Sequence, residues 1–390
     1  MGPVTPLYDC WGGRGESAVD VTRGGLRRQR RAAFDDTAEG WQALGDRLVA
    51  LGPAVGLDAV GITGVEPFTE ALEAIEDRKR RGLADTMGFT FAKPERSTDP
   101  RSALPGAASL IVAARRYKRI DQDGPEEPSA RVARYSWIDH YKPLRAGLRE
   151  LANELQLAGF RTRVMADDNA LVDRPAAYRA GIGWLGKNAN LLLPGQGSWF
   201  VLGALVTDAE LPPTAAAPVA DGCGSCVRCI EACPTAAIIA PGVVDARRCL
   251  AWLVQKPGVF PHEFRVALDD RIYGCDDCQE VCPPNRTADR HLPTAPAEVG
   301  AEPWIRLEEL LSAADDDLLA RHGRFYVPAR DANILRRNAL IAWGNIAARD
   351  DQSARTREQF RATGERFLDH PDLAVRDAAA WAWERAGLGS

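Results

Sequence analysis

The sequence predicts an α/β (α+β) core, followed by a small cysteine-rich unit and a helical C-terminal region. Three observations carry this reading. From about Ala38 to Leu211, helix-like and strand-like segments alternate. Eight of the nine cysteines lie between Asp221 and His291. Beyond them the chain turns Ala-rich with a helical apolar period. A chain of 390 residues, 45% of them hydrophobic, can bury a substantial core.

Residues 1–37, rich in Gly, Arg and acidic side chains, predict a disordered extension. Their "LRRQRR" suggests a twin-arginine export signal, but the acidic "AAFDDTAEGWQ" that follows has no apolar segment. A cytoplasmic protein is therefore expected, and the lone Cys10 reads as incidental. Over 38–211, "WQALGDRLVALGPAVG", "TEALEAIEDRKRRG", "HYKPLRAGLRELANELQLAG" and "LVDRPAAYRAG" read as helices. The intervening "AVGITGVE", "SLIVAARRY", "RTRVMA", "NANLLL" and "GSWFVLGALVTD" read as strands. No apolar run approaches the roughly 20 residues of a membrane helix, so no membrane partner is expected.

The Pro/Ala-rich "PPTAAAPVADG" reads as a linker to the cysteine-rich unit at 221–291. In the last unit, 300–390, "DANILRRNALIAWGN" and "DLAVRDAAAWAWERAG" share an Arg followed by an Ala-rich face with Trp. This is HEAT-like, and a plain helical cap fits the same pattern. The net charge of −5 argues against nucleic-acid binding over the whole surface, though not against a local basic face. Basic clusters occur at Asp77–Arg81, Ala114–Arg119 and Leu335–Asn338, where solvated helix faces are the plain reading.

The cysteines carry the strongest chemistry. "CGSCVRCIEACP" supplies Cys223, Cys226, Cys229 and Cys233; "YGCDDCQEVCP" supplies Cys275, Cys278 and Cys282; Cys249 stands between. Disulfides suit such crowding poorly in a cytoplasmic chain, and zinc also uses paired Cys-x-x-Cys motifs. The triple run closed by x-x-x-Cys-Pro is the bacterial ferredoxin pattern for 4Fe-4S clusters, in which the Cys before Pro serves the neighbouring cluster. Two clusters follow: one on Cys223, Cys226, Cys229 and Cys282, the other on Cys233, Cys249, Cys275 and Cys278. Such a pair is an electron wire, and a wire needs something to reduce.

"GIGWLG", Gly181–Gly186, formally matches a dinucleotide fingerprint, but it follows an apparent helix rather than a strand. Gly181 instead ends that helix, while Gly183 and Gly186 allow close backbone approach. The strand "RTRVMA" delivers Asp167 and Asp168 to its end, as a general acid or as a cap of the next helix. His140, His262, His291, His322 and His370 form no metal-binding spacing.

Taken together, "ADDNALVDRPAAYRAGIGWLGKNANLL", "GSWFVLGALVTD", "CGSCVRCIEACPTAAI", "CLAWL" and "RIYGCDDCQEVCP" resemble the epoxyqueuosine reductase family. The likeness runs from about Gly56 to the C-terminus through "PERSTDPRSALPGA", "ARYSWIDHYKPLR" and "RRNALIAWGN". It implies a cobalamin-binding core related to reductive dehalogenases, a two-cluster ferredoxin-like domain and a HEAT-like tail. It also implies reduction of epoxyqueuosine to queuosine at the wobble position of tRNA. Low-valent cobalamin, fed by the two clusters and held without a protein histidine, would open the epoxide while an aspartate protonates its oxygen.

Carried over by position, that aspartate falls on Asp167. Cobalamin contacts fall on Arg96, Ala133, Leu191, Leu202 and Asp167 itself, and a site role is expected for Lys187. Many members read Val-Asp-Ser or Val-Asp-Thr where this chain has Ala166-Asp167-Asp168, so a second carboxylate stands beside the proposed acid. Implied partners are the tRNA anticodon stem-loop carrying epoxyqueuosine, with Arg336 and Arg337 among the phosphate contacts, and an external electron donor such as flavodoxin or ferredoxin. A monomer is expected. The alternatives are a relative acting on another substrate, a cytoplasmic reductive dehalogenase-like enzyme, and a ferredoxin-type electron carrier.

Overall fold

"SLIVAARRY" and "GSWFVLGALVTD" become the two middle strands of a four-stranded antiparallel sheet in the computed structural model, which describes residues 27–349 and 354–389. The sheet contains β1 (Ala59–Gly64), β2 (Ser109–Arg116), β4 (Thr162–Met165) and β7 (Phe200–Thr207), in the order β1-β2-β7-β4. Strand β3 (Ser129–Val132) belongs to another sheet, and β5 (Trp184–Leu185) with β6 (Leu191–Leu192) forms a hairpin.

Both faces of the main sheet are covered. Ile111 and Ala113 of β2, with Val201 and Leu205 of β7, pack against Leu44 and Leu48 of helix α1 (Ala38–Ala54). On the opposite face Leu110, Val112, Leu202, Ala204 and Val206 meet Ile75 of α2 (Thr69–Arg80). Helix α3 (Tyr141–Leu157) joins the first face through Leu144, Leu148, Leu151 and Leu155. Helix α4 (Asp173–Arg179) joins the second through Ala176 and Ala177. Double coverage explains why the middle strands read as continuous apolar runs although their pairing is antiparallel.

"GIGWLG" leads from the end of α4 into the β5–β6 hairpin. A side chain at Gly183 would put its Cβ 2.2 Å from the Leu192 carbonyl oxygen, so the glycine serves strand contact rather than a dinucleotide. The Pro/Ala-rich stretch is bound to the core: Thr214 donates its N–H to Ile62 O at 3.1 Å and accepts from Ile62 N at 2.9 Å.

After the small hairpin of β8 (Ile238–Ala240) and β9 (Val243–Val244), the chain supplies β10 (Arg271–Tyr273), helix α5 (Pro283–His291) and β11 (Trp304–Arg306). Strand β10 pairs parallel with one edge of β3, and β11 pairs antiparallel with the other. The three units expected from sequence therefore share a sheet. They also share a core, in which Ala130 and Trp137 pack with Leu250, Phe260, Ile272, Leu335 and Trp343.

The tail holds α6 (Asn333–Ala347), α7 (Ala354–Gly364) and α8 (Leu373–Arg385). Helices α6 and α8 approach so closely that a Cβ on Gly344 would lie 2.7 Å from Ala382. Fourteen residues of α6 are buried, so this helix offers no surface. The expected phosphate contacts at Arg336 and Arg337 do not survive. Arg337 is 1% exposed and donates to the carbonyls of Leu253, Lys256 and Gly258 at 2.6–3.0 Å. Arg336 is buried against Asp315 and the Ala313 carbonyl.

Two further expectations change. Residues 27–32 are helical, exposed at 27–30 and held to the core through Arg31, which lies 4.3 Å from the centre of the Phe160 ring. Cys10 lies outside the described residues. Ala114–Arg119 is no solvated helix face: Arg116 pairs with Asp289 at 3.1 Å, Lys118 with Asp121 at 2.7 Å and Arg119 with Glu298. Asp77–Arg81, in contrast, is an exposed helix end where Arg80 and Arg81 pair with Asp77. Among the described residues, no helix is long and apolar enough to cross a membrane.

Truncating Arg337 to Ala strands the buried Leu253 carbonyl, removes the donor from those of Lys256 and Gly258, and opens a cavity. A thermal-unfolding scan should show Arg337→Ala destabilised by about 2–4 kcal/mol.

Candidate active site

The eight described cysteines are free thiols drawn from three separated segments. Cys223, Cys226 and Cys229 lie on the loop entering a helical turn at Arg228–Glu231, and Cys282 precedes the first turn of α5. Cys249 caps the turn Leu250–Leu253, and Cys275 and Cys278 follow directly on β10. Mutual charge effects sort them. Cys229 is raised by burial and then by Cys223 and Cys226, and Cys282 is pushed up to about 11 by burial, with Cys223, Cys229 and Cys226 adding. Burial likewise raises Cys249, Cys275 and Cys278; Cys233 adds to the first, and Cys249 to the other two. Cys278 also interacts with Cys229, so the two groups adjoin.

Backbone N–H groups point at several of these sulfurs. Cys233 accepts from Ala237 N at 3.2 Å, Cys249 from Ala251 and Trp252, and Cys282 from Asn285. Such donors favour a thiolate, whereas burial alone keeps the proton. A deprotonated set therefore needs a metal centre to displace the protons. Among the described residues no three His, Cys, Asp or Glu side chains converge as a single-ion site.

Asp167 follows β4 with φ of 56°, in the left-handed region that few residues other than Gly adopt. Arg145 of α3 holds this turn, donating to the Ala166 carbonyl at 3.4 Å and to Asp139 at 3.3 Å. Asp167 is open to solvent, yet surrounding protein desolvates its carboxyl and raises its pKa. Arg145 opposes that rise, while Asp139 and Asp168 add to it. Exposed Asp167 thus stands beside half-buried Tyr141 and Asp173 and buried Tyr273, each of which feels its charge, and this group of side chains makes up the recess.

Asp168 does not cap the next helix. Its carboxylate accepts from Ala170 N at 2.9 Å and faces Arg163 at 3.6 Å, while Val172 precedes α4 without a side-chain cap. Sequence reasoning passed over the rest of the recess. Asp173 in the first turn of α4 is driven to about 8 by burial, with Arg174 opposing and Asp167 and Asp168 adding. Tyr141 and Tyr273 are raised mainly by burial, with Asp167 contributing to each. Tyr135, pushed up to about 12 by burial, feels Asp276 and Cys249. The Tyr135 and Tyr273 ring centres lie 6.3 Å apart, and a Cβ on Gly274, the residue before Cys275, would come 2.8 Å from the Tyr135 ring, so the phenols adjoin the second cysteine group. The only sequence signal for Asp173 was an acidic residue in a helix's first turn, which reads as ordinary capping.

The remaining expected residues divide. Ala133 is buried and donates its N–H to the Tyr273 carbonyl, two residues before Cys275. The Gly274 beside it has φ of 73°, and a Cβ there would come within 2.5 Å of Ala133 Cβ. Leu191 and Leu202 are buried in one apolar cluster with Val172 and Ala176. Arg96 is exposed on the short helix Pro94–Ser97. Lys187 reaches the first cysteine loop, where its ammonium donates to the Gly224 carbonyl at 2.6 Å.

Comparison with known proteins bears on this arrangement. A family model described as "Epoxyqueuosine reductase QueG, DUF1730" matches residues 97–168, and one described as "4Fe-4S double cluster binding domain" matches residues 222–285. An epoxyqueuosine reductase of Bacillus cereus is 32% identical over 357 residues, covering 89% of this chain and 90% of that protein. The chain belongs to the epoxyqueuosine reductase family. The enzyme of Xanthomonas campestris is 33% identical, covering 88% of this chain and 96% of its own. Among solved epoxyqueuosine reductases, one crystallised with an epoxyqueuosine-modified tyrosine tRNA stem loop aligns at a TM-score of 0.78 and 31% identity, over 88% of this chain and 90% of that one. Another, from Bacillus subtilis with its catalytic aspartate loop swung out of the active site, aligns at a TM-score of 0.76 and 29% identity, over 88% and 90%. The family match to residues 97–168 ends on the turn that carries Asp167 and Asp168.

Asp173 gives a pH prediction for this family member. Its folded pKa, about 8, lies above the unfolded value, so the folded state holds the extra proton and loses stability as pH rises from about 4 toward 8. Asp173→Asn should therefore match the wild type near pH 4 and exceed its thermal midpoint at pH 8, as melting curves across that range would reveal.

Proposed function

We propose that this chain reduces epoxyqueuosine to queuosine in the anticodon loop of tRNA. The observation that carries the reading is Asp167: an exposed carboxyl on a left-handed turn, beside a phenol, Tyr273, that with Tyr135 adjoins a group of half-buried cysteines. Family membership over nine-tenths of the chain, and a relative solved with an epoxyqueuosine-modified stem loop, support the substrate.

In this reading Cys223, Cys226, Cys229 and Cys282 hold one 4Fe-4S cluster, and Cys233, Cys249, Cys275 and Cys278 hold the other. The match to a double-cluster domain and the charge-linked grouping of the thiols support the division. Arg96, Ala133, Leu191, Leu202 and Lys187 are proposed as contacts for cobalamin. The groups that act on Asp167 include no imidazole, in keeping with a corrinoid bound without protein histidine. Bound cobalamin would supply low-valent cobalt, able to open an epoxide.

The chain's own residues then set the proton chemistry. Loss of the epoxide oxygen as water, leaving an alkene, takes two electrons and two protons. An alkoxide leaves poorly, so a carboxyl that stays protonated near neutrality suits the first transfer, and burial raises Asp167 toward that state. Arg145 fixes the carbonyl before it, and Asp173, protonated up to about pH 8, adds little negative charge against a fresh proton. Lys142 and Arg174, exposed beside Tyr141 and Asp173, offer phosphate contacts in place of the buried Arg336 and Arg337. Helices α6 and α8 fit a HEAT-type pair whose buried Arg337 and Asn338 brace the backbone around Leu253–Gly258 and Ile272.

Anaerobic incubation with cobalamin, reductant and epoxyqueuosine-containing tRNA, followed by nucleoside mass analysis, should show loss of one oxygen; an unchanged mass with cofactors loaded defeats the substrate. Asp167→Asn should keep cluster absorbance and bound cobalamin while turnover falls by about 10²–10⁴-fold.

A further inference from the structure

The two cysteine groups differ in how they meet solvent. Around the first, Gly224, Ser225, Val227 and Arg228 are all exposed. The second adjoins the Tyr135–Tyr273 pair, since a Cβ on Gly274, next to Cys275, would come 2.8 Å from the Tyr135 ring. The helical turns Arg228–Glu231 and Asp277–Glu280, which carry Cys229 and Cys278, pack together and connect the groups. If electrons travel toward Asp167, they enter at the first group and leave by the second.

At that entry side lies a groove of about 500 Å³ lined by Arg228, Pro283, Arg286, Thr287, Asp289 and Arg290. Its charge is one-sided. Asp289 is already paired with Arg116 at 3.1 Å. Arg286 and Arg290 each use the Nε donor on a backbone carbonyl, of Glu280 and Arg286 respectively, and both side chains are exposed. Among the described residues Arg228 has no ion-pair partner, and it sits between Cys226 and Cys229. Three cations thus surround apolar Pro283, next to Cys282. Holding unpaired cations together costs electrostatic repulsion.

We propose that this groove is the docking surface for an acidic one-electron carrier protein, which delivers electrons into the first cysteine group. The inference rests on the electron path proposed above and adds to it the place of entry. Redox encounters use small interfaces, and complementary charge sets their rate more than their strength. A three-arginine groove with an apolar floor suits that kind of contact. RNA is the other polyanion in the system, but the phenols beside Asp167, where a modified base must react, adjoin the second cysteine group rather than the first.

The test reverses the charge in the cluster- and cobalamin-loaded enzyme with Arg228→Glu, Arg286→Glu and Arg290→Glu combined. Reduction is followed by bleaching of cluster absorbance, with flavodoxin hydroquinone as the protein donor and dithionite as the small one. Flavodoxin should reduce the variant about 10–100-fold more slowly than the wild type, with the salt dependence lost. Dithionite reduction and affinity for an anticodon stem-loop RNA should not change. Equal flavodoxin rates, or a wild type that dithionite reduces and flavodoxin does not, overturn the docking surface. Weakened stem-loop binding with unchanged flavodoxin rates assigns the groove to RNA and overturns it too. Arg290→Glu alone, a single exposed site, repeats the test if the triple variant loads iron poorly. Turnover of modified tRNA with dithionite by the wild type tests the substrate separately, so the two readings fail independently.

Discussion

Four residues, Ser129–Val132, hold the working parts of this protein together. Strand β3 is the middle of its sheet, so both of its edges are satisfied by segments more than a hundred residues away: β10 on one side and β11 on the other. Buried backbone donors and acceptors must be paired, and these pairings fix Tyr273, and with it Cys275 and Cys278, against the segment that begins at Ala133. Immediately afterwards Arg134 pairs with Asp276 at 3.0 Å and Glu280 at 2.7 Å, and lies 5.1 Å from the Trp199 ring centre. Asp121, at 2.8 Å, is its third carboxylate, and so largely enclosed an ion cluster is costly to separate once formed. The second cysteine loop is thereby tied to the main sheet that carries Asp167.

The recess shows a consistent electrostatic design. Asp139, Asp167, Asp168 and Asp173 come from three stretches of chain, and their mutual repulsion would be severe if all were ionised. Each is handled differently. Asp139 is tied to Arg145, Asp168 is spent on Ala170 and Arg163, and Asp173 keeps its proton through burial. Asp167 alone combines exposure, desolvation and a left-handed backbone, so it is free to meet a substrate. The extra carboxylate beside it is absorbed by Arg163 rather than added to the reacting set.

Much of this was legible from residues alone, and the failures have a common cause. Helix and strand segments over 38–211 followed from periodicity because each element carries its own apolar pattern. The cysteine count suggested the proposed pairing of thiols because cluster chemistry demands four donors: the first run supplies three to its cluster, the second run supplies two to the other, and Cys249 with the exchanged Cys233 and Cys282 complete the sets. Arginine reading failed in both "ARRYKR" and "LRRN". Charge patterning assumes solvent, and whether a guanidinium faces water or a ring of carbonyls, as Arg337 does, depends on partners 79–84 residues away. Asp173 was missed for the mirror-image reason: a helix-capping position is ordinary until neighbours bury it.

By itself, then, the sequence determined the elements, the two-cluster thiol set and the turn that carries Asp167, since these depend on local period, spacing and motif. Tertiary structure alone decided which charges are buried, which cysteine group faces the recess and which faces solvent, and where unpaired cations remain. Those outcomes depend on desolvation and on contacts between segments far apart in the chain, and β3, too short to announce itself, is where such segments meet.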